Sequence, residues 1–138
     1  MVERIKLGDQ EWTIDPKDLS FTDATLNSFF ERIGGIIDYI GAGHALAMKF
    51  HAIAEMEYKK KYIEKFRDQK DQGKSDKTAE LSAEGDQESI DLKMKSIDSK
   101  YFKDRLYAHL SALNAAREDA HNRGHMLRKE MDKLNIEI

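Results

Sequence analysis

Leu26-Asn27-Ser28-Phe29-Phe30-Glu31-Arg32-Ile33-Gly34-Gly35-Ile36-Ile37-Asp38-Tyr39-Ile40 is the stretch from which the fold can be read. Leu26, Phe30, Ile33, Ile37 and Ile40 recur at alternating spacings of four and three, which at the helical period places them on one side of a helix. Phe29 and Ile36 widen that stripe, and Ala47, Phe50, Ala54 and Tyr58 carry it on without a polar gap. Gly34, Gly35, Gly41 and Gly43 work against it, since each glycine costs an isolated helix about 1 kcal/mol relative to alanine. Two readings are open: the helix breaks near Gly41, or it continues and the glycines let another backbone come close. The unbroken rhythm favours continuation.

Upstream, the single proline, Pro16, follows Ile14-Asp15. With Ser20 and Thr22 it marks a turn in which either hydroxyl can cap the first helix. Residues 1–20 read as an N-terminal arm, ordered or partly ordered. Downstream, Asp68 to Glu88 holds seven acidic residues, three lysines, two glycines and almost no large apolar side chain. Such a segment buries too little to offset its ordering entropy and reads as a flexible connector, residues 68–88, with a helical turn at Thr78 to Glu84. Beyond it Ile90, Met94, Ile97 and Tyr101 open a second stripe, which steps by one residue to Phe102, Leu106, His109, Leu113, Ala116, Ala120, Leu127, Met131 and Leu134.

The prediction is an all-α chain. Two long helices joined by a polar connector fold back as a long helical hairpin with coiled-coil-like packing, in a single helical domain, 1–138. A two-helix hairpin buries little surface for its length. Ile36, Met48, Ile53, Met56, Leu110 and Met126 lie outside the main stripes, so a homo-oligomer is expected.

At 138 residues with 40% hydrophobic content, the chain has enough apolar matter for one modest core. Its 23 Lys+Arg against 26 Asp+Glu give a net charge of -3, so nucleic-acid binding requires local segregation of charge. The absence of cysteine removes disulfide and thiolate-metal chemistry and fits a reducing cytoplasm. Charges interrupt the first nine residues, so no signal peptide is expected. No run is long and apolar enough to span a membrane.

Tyr58-Lys59-Lys60-Lys61-Tyr62 is the local segregation such binding needs. Lys59, Lys60, Lys61, Lys65, Arg67 and Lys70 fall within three helical turns, interleaved with Tyr58, Tyr62 and Phe66. Cations able to neutralise phosphates thus stand beside rings able to stack on bases. The competing reading is a solvated face, in which Glu55, Glu57 and Glu64 form ordinary i,i+4 pairs with the same cations. A closed ring of subunits would repeat a weak patch and concentrate its field.

The histidines point less far. His121 and His125 stand one turn apart, but lack a third clear ligand and any zincin motif, so no metal is expected. His44, His51 and His109 suit interface packing. No phosphate loop, carboxylate pair or Ser-His-Asp set appears, so neither an enzyme nor a cofactor is expected.

Three short motifs, in this order and spacing, resemble the UvsY-like recombination mediators of tailed phages along most of the chain. Ile14-Asp15 followed by Leu19 resembles that family's Ile-Asp-x-x-x-Leu entry. Tyr58-Lys59-Lys60-Lys61-Tyr62 falls at its hydrophobic-Lys-x-Arg-hydrophobic segment, and Asn122-Arg123-Gly124 at its Arg-Gly step. The chain departs from the pattern at Lys61, where the family prefers arginine. It departs again at Glu64-Lys65-Phe66, which replaces an aromatic pair, and at His125, which replaces an aromatic. The resemblance implies a ring-forming helical protein that binds single-stranded DNA and helps a recombinase displace the single-strand-binding protein, without catalysis. The rival expectation is a helical structural or anti-defence phage protein that binds a host protein and not DNA.

Overall fold

The computed structural model describes residues 1–137. The chain is mostly helical, with three helices of which the two long ones pack against each other. The all-α expectation is corrected at the N-terminal arm. There β1 (Glu3–Leu7) and β2 (Gln10–Ile14) form an antiparallel hairpin with Ile5 opposite Trp12 and Leu7 opposite Gln10, followed by a single 3-10 turn at Pro16–Leu19. Ile5, Leu7, Trp12 and Ile14 alternate with polar residues, and all four are buried, as the two-residue period of a half-buried strand requires. Only Gly8-Asp9 separates the strands, and Gly8 has φ 61, the sign a type II′ loop needs at its first position. The outer edge of β2 is closed by a side chain. The Tyr39 phenol accepts from the Thr13 N–H at 3.0 Å and donates to the Glu11 carbonyl at 3.4 Å, occupying groups that would otherwise invite another strand.

The first helix, α1 (Leu26–Asp71), runs unbroken through all four glycines. Thr22 takes the capping role in the turn that leads into it: its Oγ1 accepts from the Thr25 N–H at 3.3 Å, and Thr25 Oγ1 accepts from the Thr22 N–H at 2.8 Å. A close approach explains one glycine, and what approaches is a side chain. A Cβ on Gly43 would lie 2.6 Å from Trp12 Cδ1, whereas at Gly34, Gly35 and Gly41 it would meet nothing within 4 Å. Gly43→Ala is therefore expected to destabilise by about 1–3 kcal/mol through overpacking, outweighing a helix-propensity gain of about 1 kcal/mol. Gly34→Ala keeps only the gain. Thermal melts that shift the same way for both variants would contradict this account.

The chain divides into two compact units, Met1–His44 with the chain from Leu106 on, and Ala45–Arg105. In the first unit Ile5, Leu7, Trp12, Ile14, Leu26 and Phe29 are buried, as are Leu106, Leu113, Ala116 and Ala120 of α3 (Gln87–Glu137). This confirms the middle of the second stripe; Met131 and Leu134, at its end, are exposed. Phe30 lies 5.0 Å from His121 and His44 lies 5.4 Å from Tyr107, ring centre to ring centre, so α1 and α3 run antiparallel within this unit.

Arg123 grips Asp23 with two hydrogen bonds of 2.7 Å, from Nε and Nη2 to the two carboxylate oxygens. That bond, first among its causes, holds the Asp23 carboxyl below its ordinary value. A folded value below the unfolded one means that the stabilisation is present above the usual carboxylate range and is lost as pH falls through the folded value. Melts of wild type and Asp23→Asn should therefore converge on acidification; a gap that stays constant would remove the fork from the stability of this unit.

The second unit corrects the connector. After α1, Gly73 has φ 80; its N–H donates to the Lys70 carbonyl at 2.9 Å and the Lys74 N–H to that of Gln69 at 3.1 Å, a Schellman stop. A further helix, α2 (Asp76–Gly85), follows, with Ser75 Oγ accepting from the Thr78 N–H at 3.2 Å. The expected turn at Thr78 to Glu84 lies within it. Ala79 and Ala83, one turn apart, are both fully buried. Large apolar residues were the wrong criterion, because two methyl groups on one face allow a polar helix to lie close against its neighbours.

The same unit corrects the start of the second stripe. Ser89 and Ser96 are the buried residues of early α3, while Ile90, Met94, Ile97 and Tyr101 are 39%, 53%, 50% and 53% exposed. The serines, one heptad apart, take the buried positions of early α3, and the apolar stripe is turned outward.

Candidate nucleic-acid interface

The lysine cluster lies on α1, and the helical period splits it. Lys61 and Lys65, one turn apart, point toward the start of α3. Lys61 Nζ lies 2.5 Å from Glu88 and 3.8 Å from Glu64, and its side chain is only 20% exposed. The hydrogen bond to Glu88 is the main cause that holds this ammonium above its ordinary value. Lys65 Nζ lies 3.6 Å from Asp86, the residue that caps α3 by accepting from the Ser89 N–H at 3.1 Å. Burial works to raise the Asp86 carboxyl, but the Ser89 N–H and the charges of Lys65 and Lys61 overcome it and leave it below its usual value. Lys70 makes a third brace, 2.7 Å from Asp76 across the break between α1 and α2. These three cations serve the fold.

Lys59, Lys60 and Arg67 are exposed, and among the described residues they make no ion pair. Lys60 and Arg67 are one heptad apart and so share a row on α1. Tyr58, Tyr62 and Phe66, spaced one turn apart, lie roughly 150° round the helix from that row, which lines its own recess with Ile63, Glu64, Asp68 and Asp71. The Tyr58 and Tyr62 rings are 6.2 Å apart, and Lys93 Nζ lies 4.9 Å from the centre of the Tyr58 ring, a cation–π contact. A recess of about 370 Å³ is lined by Tyr58, Lys59, Tyr62, Ile63 and Glu84. Beside it a second, of about 360 Å³, is lined by Tyr62, Ile63, Phe66, Arg67 and Glu80.

Glu80 and Glu84 were not among the expected site residues. They stand one turn apart on α2, and the Thr78 to Glu84 turn was the signal that could have found them. Burial, followed by the charges of Glu84 and Glu80, raises the Tyr62 phenol above its ordinary value, so that ring stays neutral. The aromatic recesses thus have cations on the α1 side and carboxylates on the α2 side. A phosphate chain suits only the α1 rim, with its bases turned toward the rings.

The histidines lie apart from this surface. His121 stacks near Phe30, His44 near Tyr107, His51 Nε2 is 3.5 Å from Glu55, and the buried His109 is 3.9 Å from Asp18. Among the described residues no group of three or more His, Cys, Asp or Glu side chains is placed to hold a metal ion, and no helix is long and apolar enough to cross a membrane. Comparison of the chain with known protein families, curated proteins and solved structures finds no match.

Proposed function

We propose that this protein is a homo-oligomeric, single-stranded-DNA-binding recombination mediator of phage type, working in a host cytoplasm to help a recombinase displace the single-strand-binding protein. The observation that carries the reading is that two exposed cations without an ion pair, Lys59 and Arg67, border the recesses lined by the Tyr58, Tyr62 and Phe66 rings, with Lys60 further round α1. The order and spacing of the short UvsY-like motifs support it. The mechanism is electrostatic and organisational. Phosphates displace counterions from the α1 rim, bases stack on the rings, and a closed ring of subunits multiplies a patch too weak alone in a chain of net charge -3. No group acts as acid, base or nucleophile.

The test is binding of a labelled single-stranded oligonucleotide across a salt series. Affinity that falls steeply with salt is expected; no binding at low salt overturns the reading. Glu80 and Glu84 beside the same rings favour the second reading, a helical structural or anti-defence protein whose recess takes a host protein and repels DNA.

A further inference from the structure

The two aromatic recesses repeat one set of groups. The first is walled by Tyr58 and Tyr62, with Lys59 on the α1 side and Glu84 on the α2 side. The second is walled by Tyr62 and Phe66, with Arg67 and Glu80 in the same two places. Because α2 returns along α1 after the Gly73 stop, Glu84 falls beside Lys59 and Glu80 beside Arg67. A site that only held phosphate would have no use for the carboxylates, and a site for a basic side chain would be opposed by Lys59 and Arg67.

The carboxylates are both available and held in place. Among the described residues Glu80 and Glu84 make no ion pair and no side-chain hydrogen bond. After burial, their charges are what raise the Tyr62 phenol, so both face the ring that the recesses share. Their helix is fixed from beneath by the buried Ala79 and Ala83 and at its start by Lys70, 2.7 Å from Asp76. One face of Tyr58 already carries the Lys93 ammonium, 4.9 Å from the ring centre, which leaves Tyr62 and Phe66 as the stacking rings.

A nucleotide has parts that match this lining in order. With its phosphate over Lys59 or Arg67 and its base on the rings, the far edge of the base comes to Glu84 or Glu80. In a single strand that Watson–Crick edge is unpaired and can be read. A carboxylate there only accepts, so it selects by the donors each base offers. Guanine presents N1–H and its amino group side by side, one for each carboxylate oxygen. Cytosine and adenine present an amino group next to an acceptor. Thymine presents a single N–H between two carbonyl oxygens, which the carboxylate repels.

We propose that Glu80 and Glu84 read the bases of a bound single strand, each accepting from the Watson–Crick edge of a guanine stacked in its recess and disfavouring thymine. This rests on the single-strand binding proposed above and adds to it a base preference set by hydrogen bonds, where stacking and counterion release are tolerant of sequence.

The test compares short thymidine strands at one low salt concentration. Two adjacent bases are left as thymine, replaced by guanine, or replaced by hypoxanthine, which keeps the purine ring and N1–H but lacks the amino group. The guanine strand should bind roughly fivefold tighter per recess than the thymine strand, with the hypoxanthine strand between them. Glu80→Gln with Glu84→Gln should remove most of that preference and strengthen the thymine strand, since an amide can donate to its carbonyl oxygens. Both residues are exposed, so circular dichroism should not change. A guanine strand that binds no tighter than thymine overturns the proposal, as does a preference of unchanged size in the double variant or a hypoxanthine strand equal to guanine. A double variant that gains the same factor for every strand makes the carboxylates mere repellers of phosphate; the base reading then falls and single-strand binding stands. Failure of every strand to bind overturns both.

Discussion

Replacing Lys59, Lys60 and Arg67 together by alanine is expected to abolish most of the salt dependence of single-strand binding while leaving the fold and subunit number unchanged. A single strand releases about 0.7 of a counterion per neutralised phosphate, so three contacts contribute about 2 to the slope of log affinity against log salt. Over a fourfold rise in salt the wild type should lose roughly twentyfold more affinity than the triple variant. Lys61→Ala with Lys65→Ala should do the reverse. Those ammonium groups hold Glu88 and Asp86, so their loss should lower the melting temperature and leave the salt slope in place. Equal slopes in wild type and triple variant would make the exposed cations a solvated face. A slope that instead follows Lys61 and Lys65 would mean that the strand pulls the braces from their carboxylates.

Trp12→Ala is expected to be the most damaging single substitution in the first unit. The ring is buried, its N–H donates to the Tyr39 carbonyl at 3.0 Å, and it fills the space that Gly43 leaves open. Truncating such a side chain costs about 3–5 kcal/mol. A two-stranded hairpin is at best marginal alone, so β1 and β2 should separate from α1 together. Ile63→Ala, at a residue 48% exposed, should change stability by no more than about 0.5 kcal/mol. Urea unfolding followed by circular dichroism distinguishes the two; a loss below about 1 kcal/mol for Trp12→Ala would mean the hairpin contributes little to the core.

Over the first two thirds of α1 and the middle of α3, the recurrence of large apolar residues at helical spacing was informative. Leu26 through Ala54 and Leu106 through Ala120 lie as their periodicity indicates, and α1 passes Gly41 as the continuing rhythm favours. The misreadings of the connector and of early α3 share a cause, which is that small side chains carry little hydropathy yet pack closely. Ala79 and Ala83 bury a helix inside a segment whose composition reads as a connector, and Ser89 and Ser96 occupy the core-facing positions that hydropathy assigns to Ile90 and Ile97. The hairpin is legible in the two-residue alternation of Ile5, Leu7, Trp12 and Ile14 around Gly8-Asp9. The cations could not be sorted from sequence, because Lys59 and Lys61 differ only in direction from the axis of α1. Their direction matters only once the carboxylates of Asp86 and Glu88 have been placed at the start of α3.

Trp12 is the chain's single tryptophan, and the surface proposed to bind DNA lies in the other unit. Its intrinsic fluorescence is therefore a local optical gauge of hairpin docking. The emission should shift to the red when β1 and β2 lift from α1 and the indole meets water, and should hold its wavelength through oligonucleotide titration. A natural chromophore thus separates unfolding of one unit from binding events in the other, without a label.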